Sequence, residues 1–269
     1  MLPVVLHHGI FGYDHLQVGP VRIAYFGGGI EQEIAARGHA VIRARVSRLG
    51  SVAVRAEQLK QIILNELHAR GTPDGRVIVL AHSMGGLDVR YMIRALEMAR
   101  HVAAVVTLST PHRGSSYADW ILNNIDRSRK LQQLLSTLRL DLSGARDCTI
   151  DACQRFNDAV PDHPDVAYYS VGASRPWHRV PPYFMHAHKV VGDAEGDNDG
   201  IVSVASSRWG MVLDPWPADH LHMVGRKMVV ELVDPTGDIT PYYHRIFDRL
   251  AADGVIERST AALIDRAPG

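Results

Sequence analysis

The stretch Arg76-Val-Ile-Val-Leu-Ala-His-Ser-Met-Gly-Gly86 decides how this chain is read. An apolar run ends in a serine set among small residues, and a helix-like segment, Leu87 to Met98, follows at once. So sharp a strand-to-helix turn needs small neighbours, because the serine backbone is strained and the helix must approach the sheet closely. Ser83 would then stand at a helix N-terminus, where main-chain amides meet developing negative charge. This is the pattern of a nucleophile elbow, G-x-S-x-G, with Ala81 in place of the first glycine. The plainer alternative is an ordinary strand–loop–helix connection.

Working outward from the elbow, strand-like and helix-like runs alternate through the first 110 residues. Val4–His7, Ala40–Val46, Arg76–Ala81 and Val102–Ser109 read as strands. Gly28–Arg37 and Ser51–Arg70 carry helical apolar spacing, with Ser51 where an N-cap belongs and Gly71 where a helix should stop. Such alternation implies βαβ units and a mainly parallel sheet flanked by helices. From Ser115 to Pro161 the strand signal vanishes and mixed apolar and charged residues suggest helices. Strands are expected again at Val166–Val171, Ala187–Val191 and Met211–Leu213, and a last helix at Tyr242–Ala252 precedes a polar tail. The expectation is one α/β domain over 1–269, with 115–161 an inserted helical cap.

Composition bounds the partners. The 269 residues are 46% hydrophobic and carry no net formal charge, so nothing favours nucleic acid, and no run is long enough to cross a bilayer. If Met1 is the native start, no leader precedes the first strand and a cytoplasmic protein is expected; a longer precursor would be secreted. Cys148 and Cys153, five apart, are expected to stay reduced.

A serine hydroxyl needs a base, and the base an orienting carboxylate. With the nucleophile first in chain order, both partners should follow it. The acid is sought in Gly192-Asp-Ala-Glu-Gly-Asp-Asn-Asp-Gly200, with Asp199 the choice and Asp193 and Asp197 its rivals. The base lies in Pro217-Ala-Asp-His-Leu-His222, where His220 and His222 compete evenly. His186 and His188 read as packing or surface residues, and His112 precedes the acid, against the expected order. For an oxyanion hole, the amide of Met84 is one donor, and Gly9 in Leu6-His-His-Gly-Ile-Phe-Gly12 lets the amide of Ile10 be the other.

These pieces together resemble the bacterial true lipases, the Pseudomonas and Burkholderia type of triacylglycerol lipase in the α/β-hydrolase superfamily. The matching segments are Val4-Val-Leu-His-His-Gly-Ile-Phe-Gly-Tyr-Asp14, Val18-Gly-Pro, Tyr25-Phe-Gly-Gly-Gly-Ile30, Arg55-Ala-Glu-Gln-Leu59, the elbow with Arg90-Tyr91, Thr110-Pro-His-Arg-Gly-Ser115, Arg155-Phe-Asn157, Asn198-Asp-Gly-Ile-Val-Ser203 and Asp219-His-Leu221, in family order. The resemblance implies an α/β-hydrolase fold with a cap or lid, Ser83 as nucleophile, Asp199 as acid and His220 as base, and the amides of Ile10 and Met84 as oxyanion donors. It implies a carboxylester hydrolase acting as a monomer on a lipid or other apolar ester, at a lipid–water interface if the cap opens. Phospholipase, thioesterase or acyltransferase chemistry on the same triad is the alternative, and a non-catalytic lipid- or partner-binding protein a further one. The family's calcium site meets His222 and Arg226 here, a poor donor set for a hard cation, so no cofactor is expected. The family's disulfide has no counterpart, which points to a relative independent of a helper chaperone. Trp120 and Trp216 are candidates to line an acyl trench.

Overall fold

The computed structural model describes residues 1–13, 15–18, 21–138, 141–226 and 237–257. The polar tail beyond 257 and three residues of the matched segments, Asp14, Gly19 and Pro20, lie outside them. Strand β1 (Val4–His7) leads to an antiparallel pair, β2 (His15–Val18) and β3 (Val21–Ala24), that stands apart from the main sheet. There follow α1 (Ile30–Ala36), β4 (Val41–Arg43), α2 (Val52–Ala69), β5 (Val77–His82), α3 (Gly85–Ala95) and β6 (Val102–Leu108). Between β6 and β7 (Ala167–Ala173) lie four helices, α4 (Ser116–Arg127), α5 (Arg129–Thr137), α6 (Ser143–Asp147) and α7 (Ile150–Ala159). The chain continues through α8 (Pro182–Glu195), the single turn α9 (Val204–Ser207), β8 (Met211–Trp216) and α10 (Thr240–Ala252).

The main sheet has the order β4-β1-β5-β6-β7-β8 and is parallel throughout. Both faces of the central strands β1, β5 and β6 are covered, and alternate residues divide between two cores. Val4, Leu6, Ile78, Leu80, Val106 and Leu108 pack with Ile30 and Ile34 of α1 and with Tyr243, Phe247 and Leu250 of α10. Val5, Val77, Val79 and Val105 pack with Leu59, Ile63 and Leu67 of α2 and Met92 and Ile93 of α3. The i, i+4, i+8 spacing of Leu59, Ile63 and Leu67 explains why α2 lies flat on the sheet, each buried side chain contributing about 1.5–3 kcal/mol. Ser51 caps this helix by accepting the Val54 amide, and Gly71, at φ 70°, turns the chain away.

The chain runs from β1 outward to β4, then back across β1 to β5. Loops leaving β1 and β5 at their C-terminal ends therefore part in opposite directions, which opens a crevice there.

The strand expected at Ala187–Val191 is instead the middle of α8. Adjacent valines suggested a strand, but the buried residues Phe184, Ala187 and Val191 recur at helical spacing, and Pro182 opens the helix. The expected sheet strand between β7 and β8 is therefore absent among the described residues, and Gly192–Glu195 extends a helix rather than beginning a loop.

Candidate active site

The elbow is built at the end of β5. Ser83 has φ 57°, a left-handed backbone strained for a residue with a side chain. It is held there from both sides: its N–H donates to Leu108 O at 2.8 Å and its carbonyl accepts from Thr110 Oγ1 at 2.7 Å. A Cβ on Gly9 would come within 2.5 Å of the Ser83 Cβ, so the β1 loop reaches the serine only as glycine.

Ser83 Oγ lies 3.0 Å from His220 Nε2, and His220 Nδ1–H donates to Asp199 Oδ2 at 2.7 Å. The other carboxylate oxygen, Oδ1, accepts the amides of Ile201 and Val202 at 2.9 and 2.8 Å. The His220 amide donates in turn to the Asp199 carbonyl, so the candidate base and acid are joined through main chain as well as side chain. Asp199 is fully buried; Asp193 is exposed and paired with Lys189, and Asp197 is exposed. His222 faces away from the serine, its Nδ1 accepting from Arg175 Nη2 at 2.6 Å. Of the other histidines, His112 is sealed between Thr107 and Arg90, His186 packs edge-on against Trp120, and His188 donates to the Arg175 carbonyl.

The loop after β1 brings Ile10 beside the serine. Among the described residues neither the Ile10 nor the Met84 amide donates to a protein acceptor, so both remain available to a ligand oxygen. A buried ionic network that no local pattern announces fixes this loop. Arg55 of α2 donates through Nε to Asp88 Oδ2 at 2.8 Å and through Nη2 to the His8 carbonyl at 2.6 Å, and His7 Nε2–H donates to the same Asp88 oxygen at 2.7 Å. Arg55, Asp88 and His7 are all fully buried, 33 to 81 residues apart in sequence. Burial holds His7 neutral by depressing its pKa, and brings that of His8 down to about 3.

His82 escaped the sequence reading although it precedes the serine. Its Nδ1 accepts from Tyr25 Oη and its Nε2–H donates to the main-chain oxygen of His220, both at 2.8 Å. Burial, reinforced by the nearby His220, pushes its pKa well below the usual histidine range, so the ring is neutral and both nitrogens have fixed roles.

His222 and Arg226, where the resemblance would place a calcium, do not suit one. The guanidinium of Arg175 lies against His222 and the neighbouring Asp219, Nη1 at 3.1 Å from Asp219 Oδ2, while Asp219 Oδ1 accepts the amides of Leu221 and His222. A fixed cation already occupies the carboxylate, and a divalent ion at that point would be repelled.

Ser83 and His220 open into a cavity of about 590 Å³. Its walls are chiefly apolar, with Ile10 and Phe11 from the β1 loop, Ala118 and Ile121 from α4, Phe184 from α8, and Cys148. Neither tryptophan considered for such a wall belongs to it: Trp216 is buried against Tyr242 and Tyr243, and Trp120 stacks on Tyr117 at the surface. Cys148 and Cys153 are buried free thiols, whose pKa values burial pushes up.

Known proteins match this architecture. The family described as PGAP1-like alpha/beta domain matches residues 31–137. Triacylglycerol lipase 2 of Saccharomyces cerevisiae is 30% identical over 247 residues, 84% of this chain and 73% of that protein. A triacylglycerol lipase of Burkholderia plantarii is 34% identical over 122 residues, 44% of this chain and 32% of its own. The crystal structure of Staphylococcus hyicus lipase superimposes with a TM-score of 0.70 at 17% identity, covering 93% of this chain and 95% of that one. Sequence and fold thus agree that the chain belongs to the lipase family of the α/β-hydrolase superfamily and is a carboxylic ester hydrolase.

Proposed function

We propose that the enzyme cleaves lipid esters of apolar acyl chains, of the triacylglycerol kind its relatives are named for, through an acyl-enzyme on Ser83. The observation that carries this reading is the hydrogen-bonded series Ser83–His220–Asp199 at the floor of an apolar cavity. In the proposed mechanism His220 Nε2 takes the hydroxyl proton as Ser83 Oγ attacks the ester carbonyl. The Ile10 and Met84 amides receive the oxyanion, and Asp199 stabilises the imidazolium. His220 then protonates the departing alcohol and activates the water that releases the fatty acid. No step draws on a metal. The α4–α7 segment contributes a cavity wall and serves as the cap over the acyl chain.

The test is a series of p-nitrophenyl esters of increasing chain length, below and above substrate aggregation, with Ser83→Ala as control. Turnover dependent on Ser83 and rising with chain length is expected. Absence of Ser83-dependent turnover, together with no labelling of Ser83 by a fluorophosphonate, would sink the proposal and leave a non-catalytic binder.

A further inference from the structure

We infer that the cavity takes esters whose alcohol part carries a phosphate, with Arg226 as the residue that binds it; this rests on reading the cavity as the ester site. Among the described residues Arg226 is, apart from His220, the one basic residue in the cavity wall, and no carboxylate shares that wall with it. Its position is fixed by the chain. Gly225, at φ 71°, turns the segment back, the Arg226 amide donates to the Leu221 carbonyl at 3.0 Å, and Nε donates to the Tyr25 carbonyl at 3.1 Å. Gly27 and Gly28 make room for this turn: a Cβ on Gly27 would lie 3.2 Å from the Gly225 oxygen.

The guanidinium is underused as built. Among the described residues it meets no carboxylate within ion-pair distance, and Nη2 is buried without an acceptor. A half-buried cation with an idle donor, on the wall of a mostly apolar cavity, lacks the counter-charge that would offset its desolvation. Nε is held by the Tyr25 carbonyl and the guanidinium lies 5.9 Å from the Tyr13 ring centre, but for a neutral fat its unbalanced charge and idle donor contribute only cost. A phosphate ester supplies oxygens of the right charge, and guanidinium N–H groups donate to such oxygens in pairs. The arrangement also sorts the two ends of a substrate. Acyl chains take the wall of Ile10, Ile121 and Phe184, and the charged end lies toward Arg226, six residues beyond His220.

The experiment is equilibrium binding, which needs no turnover and so stands apart from the ester assay. The native enzyme is titrated calorimetrically with dodecyl phosphate, dodecanol and inorganic phosphate, the amphiphiles below their aggregation concentrations, and the titrations are repeated with Arg226→Met and Arg226→Lys. A charged hydrogen bond sets the expectation that dodecyl phosphate binds about tenfold or more tightly than dodecanol. Arg226→Met should abolish that difference, and Arg226→Lys should keep part of it. Equal binding of phosphate and alcohol, or a preference that survives Arg226→Met, overturns the inference. Inorganic phosphate binding as tightly as dodecyl phosphate also overturns it, because the site would then recognise the free ion rather than a lipid headgroup. Failure of Ser83-dependent hydrolysis with the phosphate preference intact would remove the ester reading and leave a phosphoamphiphile-binding site.

Discussion

His82 Nε2 donates to the main-chain oxygen of His220, so the residue beside the proposed nucleophile holds the backbone of the proposed base. Tyr25 completes the arrangement by donating to the other ring nitrogen. Tyr25→Phe leaves that nitrogen buried without a donor, at a cost of about 1–3 kcal/mol. Because small displacements of a base are expensive in rate, kcat should fall roughly tenfold or more. Steady-state kinetics beside a urea titration measure both; an unchanged kcat would deny Tyr25 a positioning role.

Side-chain removal at the proposed catalytic series should separate the two histidines of the late loop. Ser83→Ala and His220→Ala are each expected to lower kcat by roughly 10⁴–10⁶, and Asp199→Asn by roughly 10⁴. His222→Ala should act mainly on stability, through loss of the Arg175 bond. If His222→Ala proves as inactive as His220→Ala while remaining folded, the assignment of the base is wrong.

Asp88 is the common acceptor of Arg55 and His7. Asp88→Ala would leave a fully buried guanidinium without its carboxylate, and breaking such a pair costs about 3–5 kcal/mol. Equilibrium unfolding by urea should show the loss, with weaker activity following from a loosened β1 loop.

His7, His82 and His112 are neutral in the folded protein, each with its pKa pushed down chiefly by burial. In the unfolded chain they would protonate near the ordinary value of about 6.5. Below that pH the unfolded state binds more protons than the folded one, so acid favours unfolding. Stability should be flat with respect to these groups above about pH 7 and fall on acidification through 6.5, each histidine adding about 1.4 kcal/mol per pH unit. Urea midpoints between pH 5 and 8 check this; a rise in stability on acidification would contradict it.

Arg175 occupies the Asp219 carboxylate and the Nδ1 of His222, the residue at one of the positions where the resemblance would place a calcium ion. A chelator is therefore expected to leave the unfolding temperature where it was, and added calcium to do the same. A clear rise on adding calcium would show that Arg175 gives way to the ion.

Much of this site was legible beforehand, for reasons of local chemistry. The elbow announces itself because only small residues fit a strained serine between strand and helix, and Gly9 follows from the same crowding. In sequence Asp199 differs from Asp193 and Asp197 only by its place before Gly200 and the apolar Ile201-Val202, and the physical difference, complete burial against exposure, emerges only in three dimensions. The Arg55–Asp88–His7 network was invisible because its members come from three separate elements. Two adjacent valines disguised α8 as a strand, since over five residues a buried strand and one face of a buried helix look alike.

Helix α5 buries none of its residues, and Leu134 and Leu138 stand open to solvent. Its folding therefore owes little to the two cores that hold the sheet together. A substitution there escapes the penalty that a buried change would incur, so this stretch is free to drift in composition and length while the catalytic frame stays unaltered. Such uncoupling gives selection a place to retune which surfaces the enzyme meets without rebuilding what it does.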